Sequence, residues 1–262
     1  MKAMVFAAGL GTRLKPFTDH HPKALAEIDG QPMLGLVIDK LKSFGVSEII
    51  VNVHHFADQI IDYLKSNNNF GITIHISDET DRLLDTGGGI LTARKWLDDS
   101  ERFIVHNADI FTDFDLSDML AFADDNNTAA TLLVAERSTK RYLLFDHDSH
   151  RMIGWTNVET GQIRPADAIL SPDTILKRAF GGVHVLSPEI FPALEEYAKT
   201  IETKFIPKFS ITDFYISYCR QLKIFGFEPA QKYNWHDIGK PESLAAATET
   251  FKSINKKTHL YY

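Results

Sequence analysis

Short apolar runs alternate with segments of helical spacing through the first half of this chain, and that alternation restricts the fold more than any other feature. Residues 4–8, 48–53, 71–76 and 103–106 read as strands, rich in Val and Ile, and residues 33–44, 56–66, 90–98 and 115–125 read as helices. The 56–66 segment carries Phe56, Ile60, Ile61 and Leu64 on one stripe, with Asp58, Asp62 and Lys65 opposite. Strand and helix in turn argue for a sheet with helices on both faces. The expected fold class is α/β: a Rossmann-like three-layer α/β/α sandwich with a mostly parallel mixed sheet. The second half is less regular. Residues 128–135, 179–186 and 222–227 read as strands, and residues 210–220 and 241–252 as helices, with Pro241 near the start of the last. The stretch 136–178 is polar and irregular and is expected to be an excursion. No repeat, low-complexity tract or linker interrupts the chain, so a single domain over 1–262 is expected.

The 44% apolar content of 262 residues supports a sizeable core. The net charge of −7 argues against general nucleic-acid binding, which wants a basic face. It leaves room for an anionic ligand held by cations gathered in one cleft. Cys219 is the only cysteine, which excludes an internal disulfide and a thiolate zinc cluster. Lys2 before an apolar stretch mimics a signal peptide, but Gly9 and Arg13 break that stretch too early. No run is long enough to span a membrane. A cytoplasmic protein with no membrane partner is expected, and the sequence carries no signal of oligomeric state.

The first strand empties into Gly9-Leu10-Gly11-Thr12-Arg13-Leu14, and His21-Pro22-Lys23 brings a second cation ten positions after Arg13. Glycine lets backbone N–H groups approach an anion closely. Arg13 can fork two oxygens, and Lys23 adds a point charge. This arrangement suits a nucleoside triphosphate at the carboxyl end of a first strand. Two other glycine devices fit less well. A dinucleotide fingerprint wants a third glycine where Leu14 stands. Its ribose acid has a match in Asp29, twenty positions after Gly9, but Ile28-Asp29-Gly30-Gln31-Pro32 reads as a tight turn. A Walker loop is absent. Further on, Phe103 to Val105 is an apolar strand running through Asn107 and Ala108 to Asp109, which should point into the same crevice. A carboxylate beside a triphosphate needs a cation between them, and Mg²⁺, held by one or two carboxylates with phosphate oxygens and water, meets that need. Asp237, before the Gly239 turn, is the candidate second ligand; read alone it is equally a helix-start aspartate.

Gly9, Gly11, Thr12, Arg13, Leu14, Pro16, Thr18, Pro22 and Lys23 match the pattern G-x-G-T-R-L-x-P-x-T followed by P-K. On these residues the chain resembles the sugar-1-phosphate nucleotidyltransferases, or NDP-sugar pyrophosphorylases. The resemblance covers nearly the whole chain and is weakest across 136–178. It implies a nucleotidyltransferase fold with a nucleotide-binding half at 1–125. The half at 126–262 would bind the sugar and bring the second metal ligand. The implied catalytic residues are Arg13, Lys23, Asp109 and Asp237, with Mg²⁺ on Asp109 and Asp237. The nucleotide would lie against Ala8, Gly9, Gly11, Thr12, Arg13, Lys23, Gly87 and Gly88, and the sugar against Asn107, Gly181 and Gly182. The family's strand-end N-G-D falls on Asn107-Ala108-Asp109, with Ala108 in place of glycine, where a methyl group could crowd the sugar.

Leu84 to Ile90 reads as a second glycine loop leading into a helix, its three glycines suited to a base lying flat on the backbone. Its T-G-G-G-I form, with Asn52-Val53-His54 and Gln59-Ile60, is most similar to the bacterial N-acetylmuramate-1-phosphate uridylyltransferases. The E-K-P lysine that many relatives use for the sugar phosphate has no counterpart, and Lys204 or Lys208 is the candidate substitute. The implied reaction takes UTP and a sugar 1-phosphate, N-acetylmuramate 1-phosphate or a related amino sugar of cell-wall metabolism, to UDP-sugar and pyrophosphate. A lactyl ether on that sugar would need room near 136–178. The alternatives are a guanylyltransferase for mannose or heptose 1-phosphate, a cytidylyltransferase for phosphocholine, and a catalytically silent nucleotide-binding subunit. The last is disfavoured because none of the four key residues is lost. His20-His21 and His54-His55 lack metal-ligand spacing, and Trp155 and Trp235 are expected in the core rather than under a sugar.

Overall fold

The apolar run Ala3-Met4-Val5 is wholly buried in the first strand, β1 (Lys2–Phe6). The computed structural model describes residues 1–167, 174–202 and 204–258. The expected turn at 28–32 is a two-residue hairpin between β2 (Glu27–Ile28) and β3 (Gln31–Pro32). Asp29 (φ 51) and Gly30 (φ 77) both take left-handed backbone there, the twist such a hairpin requires. Next come α1 (Met33–Ser43), β4 (Glu48–Val53), α2 (Ala57–Ser66) and β5 (Thr73–Asp78). β1, β4 and β5 pair in parallel, with Val5 opposite Val51 and Val51 opposite Ile76. α2 buries Ala57, Ile60 and Leu64 and leaves Asp58, Asp62 and Lys65 in solvent; of the expected stripe, Ile61 is half-buried and Phe56 (φ 54) precedes the helix.

The chain continues with α3 (Asp85–Leu97), β6 (Phe103–Asn107), β7 (Ile110–Thr112), α4 (Leu116–Asp125) and β8 (Ala130–Ala135). Then follow β9 (Arg141–Asp146), β10 (Met152–Asn157), β11 (Gln162–Arg164) and β12 (Ile175–Leu186). α5 (Ile190–Ile201), α6 (Ile211–Tyr218), β13 (Ile224–Phe227), β14 (Trp235–Asp237) and α7 (Pro241–Thr258) complete the order. Two compact units result. One holds Met1–Leu83, His106–Phe114 and Gln231–Tyr262; the other holds Leu84–Val105 and Asp115–Ala230. In the second unit β12 pairs antiparallel with both β8 and β9, β9 pairs with β10 and β10 with β11, and β13 runs parallel to β8. Its core includes Phe103 stacked on Phe191 of α5. The Rossmann-like α/β class expected from the sequence is what forms. No helix among the described residues is long and apolar enough to cross a membrane.

Two expectations need correction. The 136–178 stretch is not irregular: it holds β9, β10, β11 and the start of β12, and only 168–173 within it lie outside the described residues. The inward positions of β10 are Met152, Gly154 and Thr156, so a small and a polar residue sit where alternation would demand apolar ones. The second correction concerns the Leu84–Ile90 glycine loop, which is the first two turns of α3. Glycine is a poor helix former, but tertiary packing decides here. A Cβ at Gly87 would overlap the Phe209 ring, and one at Gly88 would lie 2.6 Å from the Pro207 carbonyl oxygen. The Gly87 N–H donates to the Phe209 carbonyl at 2.9 Å, and the Thr86 hydroxyl accepts from the Ile211 N–H at 2.9 Å.

Candidate active site

The glycine turn is built from two glycines with different duties. Gly11 takes φ 62, and a Cβ there would stand 2.8 Å from both Lys23 Cβ and Thr18 Cγ2. Its carbonyl accepts from the Leu14 N–H and from the buried Thr18 hydroxyl, each at 2.9 Å. Gly11 is thus demanded by the fold of the turn itself. A Cβ at Gly9 would meet nothing within 4 Å, so its face is open to a ligand. Ala8 is buried behind it, while Thr12 and Arg13 lie forward with Arg13 largely exposed.

Four charged groups converge beside this turn. Lys23, in a single helical turn (Lys23–Leu25), is 9% exposed, and its ammonium donates to Asp109 Oδ2. The same Nζ is 3.7 Å from Asp237 Oδ1, and Arg13 Nη2 is 3.8 Å from Asp237 Oδ2. Residues 128 positions apart meet because β14 pairs antiparallel with β7, Asp237 opposite Ile110. The Ile238 N–H donates to the Asp109 carbonyl at 2.8 Å. Asp113 accepts from both the backbone and the side-chain amide of Asn234, each at 2.6 Å, at the far end of the ladder. The sequence placed Asp109 and Asp237 in one crevice; β7 and β14, the elements that bring them together, were too short to read from hydropathy.

The donor set fits a hard divalent cation. Asp237 Oδ1 is buried with no hydrogen-bond partner, and no third His, Cys, Asp or Glu joins the cluster among the described residues. Two carboxylates with substrate phosphate and water are what Mg²⁺ takes. His106, three residues before Asp109, is fully buried, and burial lowers its pKa to about 4. Its Nδ1 donates to the Asn107 carbonyl at 2.8 Å, while Nε2 is buried without a hydrogen bond. Ala108 is buried too, and its N–H donates to the Phe6 carbonyl at 3.1 Å.

The other expected residues occupy α3, β12, the end of β6 and the segment between α5 and α6. Gly87 and Gly88 are buried in α3 as described. On β12, Gly181 is closed against Leu133, and Gly182 (φ 76) sits where the β12–β8 register shifts, a bulge that needs its left-handed backbone. Asn107 is half-buried at the end of β6. Lys204 and Lys208 are exposed between α5 and α6. The histidine pairs are engaged structurally: His21 Nδ1 with Gln59 Oε1 at 3.0 Å, and His54 Nδ1 donating to the Glu79 carbonyl at 2.6 Å. Sequence reasoning used Asn52 only for the subgroup resemblance, gave it no role, and passed over Glu79; both are buried and hydrogen-bonded to each other at 2.8 Å. Its available signal was an asparagine inside an otherwise apolar Ile49–Val53 run.

The nucleotidyl transferase family model matches residues 2–253 of this chain. The N-acetylmuramate α-1-phosphate uridylyltransferase of Caulobacter vibrioides is 35% identical over 193 residues, covering 72% of this chain and 76% of that protein. The protein of the same name from Neisseria meningitidis is 32% identical over 203 residues, covering 74% and 79%. The mannose-1-phosphate guanylyltransferase catalytic subunit beta of Dictyostelium discoideum is 29% identical over 248 residues, 93% of this chain but 62% of that protein. The chain therefore spans less than two thirds of that relative. A solved apo UDP-glucose pyrophosphorylase superposes with a TM-score of 0.74 at 18% identity over 97% of this chain and 99% of that one, a likeness of fold. The chain belongs to the sugar-1-phosphate nucleotidyltransferase family.

Proposed function

We propose that this protein transfers a uridylyl group from UTP to a sugar 1-phosphate, with N-acetylmuramate 1-phosphate the favoured acceptor, releasing pyrophosphate. The observation that carries the reading is the convergence of Arg13, Lys23, Asp109 and Asp237 beside a glycine turn with one open face. A sugar-phosphate oxygen attacks the α-phosphorus in line, and the bond to the pyrophosphate oxygen breaks. The nucleophile is already an anion at neutral pH, so no general base is required, and positioning and charge neutralisation carry the catalysis. Asp109 and Asp237 would hold Mg²⁺, which when bound supplies positive charge where the two phosphates meet. Arg13 and the amides of the glycine turn hold the leaving pyrophosphate. Lys23, paired with both carboxylates, turns its charge to the α-phosphate.

The choice of acceptor rests on two relatives above 30% identity that carry the N-acetylmuramate name. A second reading, GTP with mannose 1-phosphate, is favoured by the longer matches to guanylyltransferases. Pyrophosphate release decides between them, measured for UTP, GTP, CTP and dTTP against N-acetylmuramate, N-acetylglucosamine, glucose and mannose 1-phosphates, with and without Mg²⁺. Mg²⁺-dependent release with UTP and N-acetylmuramate 1-phosphate is expected. Release with GTP and mannose 1-phosphate keeps the mechanism and overturns the acceptor; nucleotide binding without release from any pair favours a silent subunit.

A further inference from the structure

Where β1 leaves the sheet, two consecutive N–H groups lose their strand partners. The β1–β4 register ends with Phe6 opposite Asn52, and the buried Ala7 and Ala8 turn out toward Gly9. Both amides donate to one acceptor, Asn52 Oδ1, at 2.8 and 3.3 Å. Buried N–H groups without a partner are costly, so this acceptor fixes the path of the chain. Asn52 has two faces, and only one presents an oxygen. Its Nδ2 donates to Glu79 Oε1 at 2.8 Å. A flipped Asn52 would set NH₂ against two N–H groups and oxygen against oxygen. Glu79 is 2% exposed and cannot swing away. Its own backbone is tied at both ends: its N–H donates to the Val53 carbonyl at 2.8 Å, and its carbonyl accepts from His54.

We propose that Asn52 and Glu79 are positioning residues for the triphosphate turn. The Glu79 carboxylate orients the Asn52 amide, the Asn52 oxygen holds Ala7 and Ala8, and this sets the direction in which the open face of Gly9 meets phosphate. The proposal rests on the reading of that turn as the nucleotide site. It assigns the pair to nucleotide affinity, not to stability alone.

The test swaps the hydrogen bond. Asn52→Asp keeps an acceptor for Ala7 and Ala8 but sets a second carboxylate against Glu79. Glu79→Gln keeps an acceptor for Asn52 Nδ2. In the double variant the new amide at 79 donates to the new carboxylate at 52, and the arrangement is restored in reverse. UTP with Mg²⁺ is titrated calorimetrically into each protein, and KM is measured for both substrates. Asn52→Asp is expected to weaken UTP binding and raise its KM about tenfold or more, with the sugar-phosphate KM nearly unchanged. Glu79→Gln alone should cost little, and the double variant should recover to within about threefold of wild type, since contacting residues couple. A folded Asn52→Asp that binds UTP like wild type, or a folded double variant as weak as Asn52→Asp, overturns the proposal. Should Asn52→Asp fail to fold, Asn52→Ala, which leaves room for water at the two amides, carries the comparison, and wild-type affinity there overturns it equally. A wild-type protein that binds no nucleoside triphosphate overturns the reading of the turn itself, an outcome visible before any variant is made.

Discussion

At the scale of single residues, glycines and carboxylates that look alike in the sequence do different work. Gly11→Ala forces a side chain into left-handed backbone and against Lys23 and Thr18, and should lower stability by at least about 1 kcal/mol in urea unfolding. Gly9→Ala enters open space. It should change stability by less than about 0.5 kcal/mol while weakening UTP binding, and equal losses of stability in both would contradict this division. Asp109→Asn should reduce kcat by more than about 100-fold with the melting temperature nearly unchanged; a variant that keeps most of its rate takes Asp109 out of the metal site. His106 gives a pH signature. Its folded pKa of about 4 lies below the unfolded value of about 6.5. The unfolded state therefore binds the proton more readily. Stability is full above pH 6.5 and falls as pH drops toward 4, by roughly 3 kcal/mol in all. His106→Phe should flatten the difference between unfolding free energies at pH 7 and pH 4.5.

At the scale of elements, the glycines of α3 separate what is read locally from what packing imposes. Ala is preferred to Gly in a helix by about 1 kcal/mol, so Gly88→Ala should stabilise a free helix. Here its methyl would meet the Pro207 carbonyl at 2.6 Å, and the substitution should destabilise by at least about 1 kcal/mol. Stabilisation on thermal unfolding would show that the 206–209 segment does not lie against α3. Long amphipathic elements such as α2 were legible because their burial pattern is written in consecutive residues. β9 to β11 were not, because the inward positions of β10 include Gly154 and Thr156. The three-residue β7 and β14 were not, because a strand of that length has no measurable period and exists only through its partner.

At the scale of the whole molecule, charge sets the terms of binding. Arg13 and Lys23 are balanced by Asp109 and Asp237, in a chain of net charge −7. That quartet alone offers no surplus to a triphosphate, so UTP should stabilise the protein far more with Mg²⁺ than without. At a hundred times Kd the gain is about 2.7 kcal/mol, visible as a raised Tm. NAD should give no shift, and a shift with NAD as large as that with UTP would reopen the dinucleotide reading. By itself the sequence determined the glycine turn, the tight turn at Asp29-Gly30, the two cations and the α/β class, because each depends on backbone preferences and hydropathy within a few neighbouring residues. Only the tertiary structure decided that the pairing of β14 with β7 carries Asp237 to Asp109, that Gly87 and Gly88 lie under Phe209 and Pro207, and that Asn52 receives the amides of Ala7 and Ala8. Each of these satisfies a buried polar group or a close contact with a partner far along the chain, and no local spacing records which distant residue that partner will be.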